Sequence, residues 1–203
     1  MKSSTRIIEP TVSEQLEPMA SEAFVKAQID ALRQQQETQL EALSARMPEG
    51  KVALVVFSDD MDKVLAGFVI ASGALAMGMQ VSMYFTFWGL AAIKRQTRLE
   101  GKALKQRMMS LFTPARSEQM GISKLNLFGA GPRMMRSIMK EKNVASLEEL
   151  RGLVQEMGTR MIGCTMAMDV MGVEEEEFID GIELGGVATF MEEALKSRMT
   201  IFL

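Results

Sequence analysis

Residues 51–57 read Lys-Val-Ala-Leu-Val-Val-Phe, a run of β-branched and apolar side chains with no polar alternation. A strand with one wet face alternates, so a continuous run belongs to a strand covered on both faces. Ser58-Asp59-Asp60 follow at once and suit the cap of a helix, expected from about Met61 to Met77. Gln80–Phe87, QVSMYFTF, reads as a second strand, Thr159–Gly163 as a third and Met199–Leu203 as the last. Helical stretches lie between them. Strands alternating with helices predict an α/β domain, a parallel sheet covered on both faces, spanning 49–203.

Outward from this frame the punctuation is legible. Pro48-Glu49-Gly50 marks the entry to the domain. Thr86-Phe87-Trp88-Gly89 turns the chain, and Lys94–Phe112 is a basic amphipathic stretch. Ile122–Phe128 reads as irregular or a short strand. Pro132 opens a helix reaching about Lys140. Ser146 and Glu149 have capping-box spacing at the head of the next helix. A final helix is expected from Gly186 to Lys196. Ahead of the domain, residues 1–12 read as disordered and Ser13–Arg46 as a helical arm. Its Ile29, Leu32, Leu40, Leu43 and Met47 fall roughly on one face, with Gln36 a polar lapse. Such an arm has little reason to persist alone in water, which predicts a homo-oligomer with the arm packed on its own domain or on a neighbour.

Val64–Ile93 contains no charged residue, and hydropathy alone would make it a membrane span. Asp60 and Asp62 at its head, its glycines, and the strand-forming QVSMYFTF favour a buried helix followed by a buried strand instead. The N-terminus has no continuous apolar stretch of a secretory signal. A cytoplasmic protein is expected, with membrane association the less favoured reading.

Composition removes whole classes of chemistry. There is no histidine, so Ser-His and Cys-His nucleophile pairs and histidine metal sites are excluded. The single cysteine excludes an intrachain disulfide, a CxxC pair and a four-cysteine zinc site. A net charge of −3 gives no sign of a nucleic-acid partner. The 20 methionines suit core filling first, then an adaptable partner surface. Neither a metal nor an organic cofactor is called for.

In a parallel α/β sheet ligands sit beyond the carboxyl ends of the strands. Ser58-Asp59-Asp60, Thr86-Phe87-Trp88 and Cys164 all lie at such ends, with Thr165 next to the cysteine. Cys164 stands where a strand hands over to a helix, a position whose N–H groups favour thiolate, the nucleophilic form. The same residue could equally be an inert buried thiol. Asp59 and Asp60 read first as helix caps, and Trp88 as packing before a stacking platform. Gly129-Ala130-Gly131 lacks the full GxGxxG spacing of a phosphate loop. Glu174–Glu177 reads as a solvated helix start. Bases cluster from Lys94 to Arg107, and Asp169–Glu193 carries acids only. These are either two solvated faces or docking surfaces for another subunit or an acidic partner.

Several motifs resemble the DsrE/DsrF/DsrH-like family, in its larger, Met-rich branch. They are VVFSDDMDKVLAGFVIASGALAMGM, FTFWGL, MGISKLNLFGAGPRMM, EKNVASLEELRGLVQEMG and GCTMAMDVMGVEEEEFIDGIELGGVATF, and with them the likeness runs from Lys51 to Leu203. The resemblance implies a flavodoxin-like three-layer sandwich, commonly oligomeric. It also implies sulfur trafficking, in which a cysteine carries a persulfide between donors such as rhodanese-like proteins and carriers such as TusA-like proteins. The family cysteine corresponds to Cys164; the strand-end residues Ser58, Asp59, Thr86, Phe87 and Trp88, with Thr165, are the candidate pocket around it. Gly163 and Thr165 stand where the family more often has Ala and Gln. Two other readings compete: a non-catalytic module binding a nucleotide or flavin at the rim, and a membrane-associated scaffold of a redox or sulfur-oxidation complex.

Overall fold

A computed structural model describes residues 22–44 and 49–203, which fall into two separate units. The first is one helix, α1 (Glu22–Ser44), on which Ile29, Leu32 and Leu40 are exposed. The expected disorder of 1–12 and the outer ends of the predicted arm lie outside the described residues.

The second unit follows the strand–helix alternation. It runs β1 (Glu49–Val56), α2 (Met61–Ala76), β2 (Gln80–Phe85), α3 (Leu104–Phe112), α4 (Ala130–Glu141) and α5 (Leu147–Glu156). Then come β3 (Arg160–Cys164), α6 (Thr165–Met171), β4 (Glu183–Gly185), α7 (Val187–Lys196) and β5 (Ser197–Phe202). The strands form one sheet in the order β4-β3-β2-β1-β5, and every pairing is parallel.

Alternation along each strand sends neighbouring side chains to opposite faces. One face carries Val52, Leu54 and Val56 of β1 with Val81, Met83 and Phe85 of β2. There α2 packs, with the Phe68 and Phe85 rings 6.3 Å apart, and α5 lies beside α2. The other face carries Ala53, Val55, Ser82 and Tyr84 and meets α7, whose Phe190 ring is 5.2 Å from that of Tyr84. Helices therefore cover both faces, giving three layers. The Ser146–Glu149 capping box forms as expected, Ser146 Oγ accepting from the Glu149 N–H at 3.2 Å.

The uncharged segment Val64–Ile93 is divided among α2, β2 and a 3-10 turn, Phe87–Ile93. Among the described residues no helix is long and apolar enough to cross a membrane. The expected strand Gln80–Phe87 stops at Phe85, because Phe87 takes a positive φ of 49°. Gly89 makes that turn possible: its N–H donates to the Phe57 carbonyl, and a Cβ there would stand 2.0 Å from the Val56 carbonyl oxygen. Residues 122–128 are irregular, not a strand. Gly131 is a packing glycine, since its Cβ would lie 2.1 Å from the Leu125 carbonyl oxygen.

The two charged stretches are the main correction. They do not form two solvated faces; in part they pair with each other. Glu177, expected in a solvated helix start, is fully buried between Lys94 and Lys102, and both lysines are buried too. Arg95 adds a surface pair with Asp180 at 3.0 Å. Lys105 and Arg107 remain exposed.

Candidate functional site

The carboxyl ends of β2 and β3 bring the reactive group to its neighbours. Tyr84 pairs with Ile162 and Phe85 with Gly163, so the register sets Thr86 beside Cys164. Tyr84, Thr86 and Cys164 then share the face turned toward α7, with Tyr84 one rung behind. Gly163 points the other way, and a Cβ on it would sit 3.3 Å from the Phe178 ring. Where the family resemblance expects alanine, Phe178 occupies the space.

Cys164 is 2 % exposed and caps α6, followed by the exposed Thr165. Burial is the strongest influence on the thiol and pushes its pKa up. The hydroxyls of Tyr84 and Thr86 and the N–H groups of Ala167 and Met166 act the other way. Together they outweigh burial, so the thiol is held below the ordinary range. The sequence led us to expect a helix dipole as the main source of this effect. With only seven residues, α6 is short for that; two side-chain hydroxyls supplement the local N–H groups.

The Tyr84 phenol is shifted upward, first by burial and then by the adjacent thiol, and stays protonated as a donor. Its oxygen is buried and acts on Cys164 through space, yet among the described residues it makes no hydrogen bond of normal geometry. Tyr84 was missed in the sequence because QVSMYFTF reads simply as a core strand. The available signal was its two-residue spacing from Thr86, which places both on one face.

The other predicted pocket residues do different work. Ser58 and Asp60 bond to each other: the Ser58 Oγ accepts from the Asp60 N–H at 3.1 Å and donates to its carboxylate at 3.0 Å. Asp60 takes the N-cap position without bonding a helix N–H, and Lys63 pairs with it at 2.6 Å. Asp59 is half-buried, and burial raises its carboxyl above the usual range. Phe87 and Trp88 join Phe57 and Phe202 in an aromatic cluster with ring centroids 5.6–5.9 Å apart. Of the six predicted pocket residues, Thr86 is brought against the thiol by side-chain interaction and Thr165 by chain continuity. A groove of about 670 Å³ between α2 and the α4–α5 region is lined by Met61, Leu65, Arg136 and Leu147 among others, not by Cys164.

Fold and site define an α/β protein that holds its single thiol, buried, at the carboxyl edge of a parallel sheet. The model of the DsrE/DsrF/DrsH-like family matches residues 48–202, and the chain belongs to that family. It is 35% identical over 161 residues to the sulfur carrier protein DsrE2 of Allochromatium vinosum, covering 77% of this chain and 100% of that one. It is also 35% identical over 154 residues to YrkE of Bacillus subtilis, which is named as uncharacterized, covering 75% of this chain and 96% of that one. The YchN crystal structure from E. coli aligns with a TM-score of 0.45 at 8% identity, over 77% of this chain and 100% of that one. Membership in this family and the DsrE2 likeness support a role in sulfur relay.

Proposed function

We propose that Cys164 carries a persulfide and passes its outer sulfur between proteins. The observation that carries this reading is the placement of the single thiol at the carboxyl end of β3 and the head of α6, beside the Tyr84 and Thr86 hydroxyls, surroundings that favour the thiolate despite burial. A thiolate is the attacking form, and a lowered pKa also makes the same sulfur a good leaving group. In the first half-reaction the Cys164 thiolate attacks the outer sulfur of a donor persulfide. A new S–S bond forms, the donor's S–S bond breaks, and its electron pair leaves on the donor thiolate. In the second half-reaction an acceptor thiolate attacks the outer sulfur on Cys164, and the Cys164 thiolate leaves. No external oxidant or reductant enters either step.

With one cysteine in the chain, the persulfide cannot collapse into an intrachain disulfide. It waits for a thiol on another molecule. Rhodanese-like donors and TusA-like acceptors are the partners this reading proposes. Because Cys164 is buried, exchange takes place when the partner draws the β3–α6 junction open.

Intact-mass measurement after incubation with a protein persulfide donor tests the proposal. The wild type should gain the mass of one sulfur, Cys164→Ser should gain none, and a TusA-like acceptor should remove it. No gain from several donors would sink the carrier reading.

A further inference from the structure

Tyr84 is 5 % exposed, and among the described residues its hydroxyl oxygen has no hydrogen-bond partner of normal geometry. A buried O–H left unsatisfied is destabilising and calls for an explanation. Packing does not supply one. The contact with Phe190 at 5.2 Å is a ring contact that phenylalanine would make equally well. The resting thiol feels this hydroxyl alongside Thr86 and the Met166 and Ala167 N–H groups, but among the described residues the O–H makes no hydrogen bond of normal geometry to Sγ and keeps donor capacity to spare.

The position of the hydroxyl is informative. The β2–β3 register places Tyr84 diagonally behind Cys164 on the same face of the sheet. A persulfide extends the cysteine by one S–S bond of about 2.05 Å. That added atom carries the negative charge once its proton is lost, and it needs a donor of its own because Sγ retains the others. Resting on the carrier reading above, we propose that the Tyr84 hydroxyl is a positioning residue that donates to the outer sulfur of the Cys164 persulfide. The hydroxyl gives no proton away. It orders the sulfur inside the protein and shields it from small nucleophiles until a partner protein opens the site.

Tyr84 is the only tyrosine in the chain, which permits a direct probe. Protein carrying 3-fluorotyrosine shows a single side-chain fluorine environment by NMR. Loading Cys164 with inorganic polysulfide should move that resonance, and the same treatment of Cys164→Ser should leave it in place. A second measurement follows removal of the sulfur by cyanide, which attacks the outer sulfur, forms thiocyanate and releases the Cys164 thiolate. Tyr84→Phe, brought to one added sulfur per chain with excess polysulfide, should lose it to cyanide about tenfold faster than wild type loaded to the same extent, as expected for loss of a hydrogen bond to a charged acceptor. Urea unfolding of the unloaded variant should show stability equal to or above the wild type, which a purely structural tyrosine would not give.

The outcomes separate the two ideas. If the wild type loads, but the fluorine resonance stays fixed and the cyanide lifetimes match, the Tyr84 role is wrong and the carrier reading stands. If the wild type takes no sulfur from polysulfide, both fall. Should Tyr84→Phe fail to fold, the fluorine measurement on the otherwise unaltered chain decides.

Discussion

Lys94 Nζ lies 3.0 Å from Glu177 Oε2, and neither side chain is reached by solvent. Lys102 binds the other carboxylate oxygen, and Lys94 also donates to Thr97 Oγ1 at 2.9 Å. The Oε2 contact is an ion pair without good hydrogen-bond direction. Burial, only partly offset by Glu177, depresses the Lys94 pKa. One carboxylate thus anchors the segments on either side of residues 94–102 to the loop that follows α6. Glu177→Ala would leave two buried ammonium groups without their partner. It should cost about 3–5 kcal/mol of stability in urea unfolding, and a loss below about 1 kcal/mol would show that the lysines escape to water.

Glu193 of α7 ties the opposite face together, binding Lys51 and Ser82 and pairing with Arg160 at 2.6 Å. Burial alone would raise its carboxyl, but Lys51, Ser82 and Arg160 win and hold it below the usual glutamate range. A carboxylate depressed in the fold contributes stability above its unfolded value of about 4.5, and that share disappears as pH falls through the lower folded value. Wild type should therefore exceed Glu193→Gln in stability at neutral pH, and the gap should close below about pH 4.5. Parallel stability curves from pH 7 to 3 would contradict this.

Two glycines should respond oppositely to the same methyl group. At Gly89 a Cβ would meet the Val56 carbonyl oxygen at 2.0 Å, and backbone has little room to yield. Gly89→Ala should cost about 3 kcal/mol or more, beyond ordinary overpacking. At Gly73, inside α2 and exposed, a Cβ meets nothing among the described residues within 4 Å. Gly73→Ala should stabilise the protein by about 0.5–1 kcal/mol, read from the urea midpoint.

Iodoacetamide should alkylate Cys164 with a midpoint below the ordinary thiol value of about 8.5, because the hydroxyls and N–H groups outweigh burial. The limiting rate should nevertheless fall well under that of an exposed thiol, since the residue is 2 % exposed. Thr86→Val should move the midpoint upward. A midpoint above 8.5 in the wild type would leave an inert core cysteine.

The exposed apolar residues of α1 motivate an assembly prediction. Light scattering should show a homo-oligomer for the full chain, with a smaller species or weaker association for a chain starting at Glu49. A strictly monomeric full chain at micromolar concentration would remove the arm's proposed role.

Much of the fold was legible because local patterns carry it. The apolar run at 51–57, the helix-forming stretch after Asp60 and the Ser146–Glu149 box need no distant partner to declare themselves. β4 did not declare itself: three residues, Glu183–Gly185, carry no period. The reach of β2 was also overstated, because the break at Phe87 depends on Gly89 meeting a carbonyl from a different strand.

By itself the sequence determined the α/β alternation, the absence of histidine and of a second cysteine, and hence Cys164 as the single thiol. It also carried the motifs of the family. Only the tertiary structure decided which side chains surround that thiol. Tyr84 and Thr86 lie far from Cys164 along the chain and meet it because β2 and β3 pair in one register, and a one-residue slip would turn both hydroxyls to the opposite face. Charge pairing belongs to the same level. In the sequence Lys102 is one base in a basic run and Glu177 one acid in an acidic run; Coulomb attraction in a low-dielectric interior joins them only after the loops are brought together.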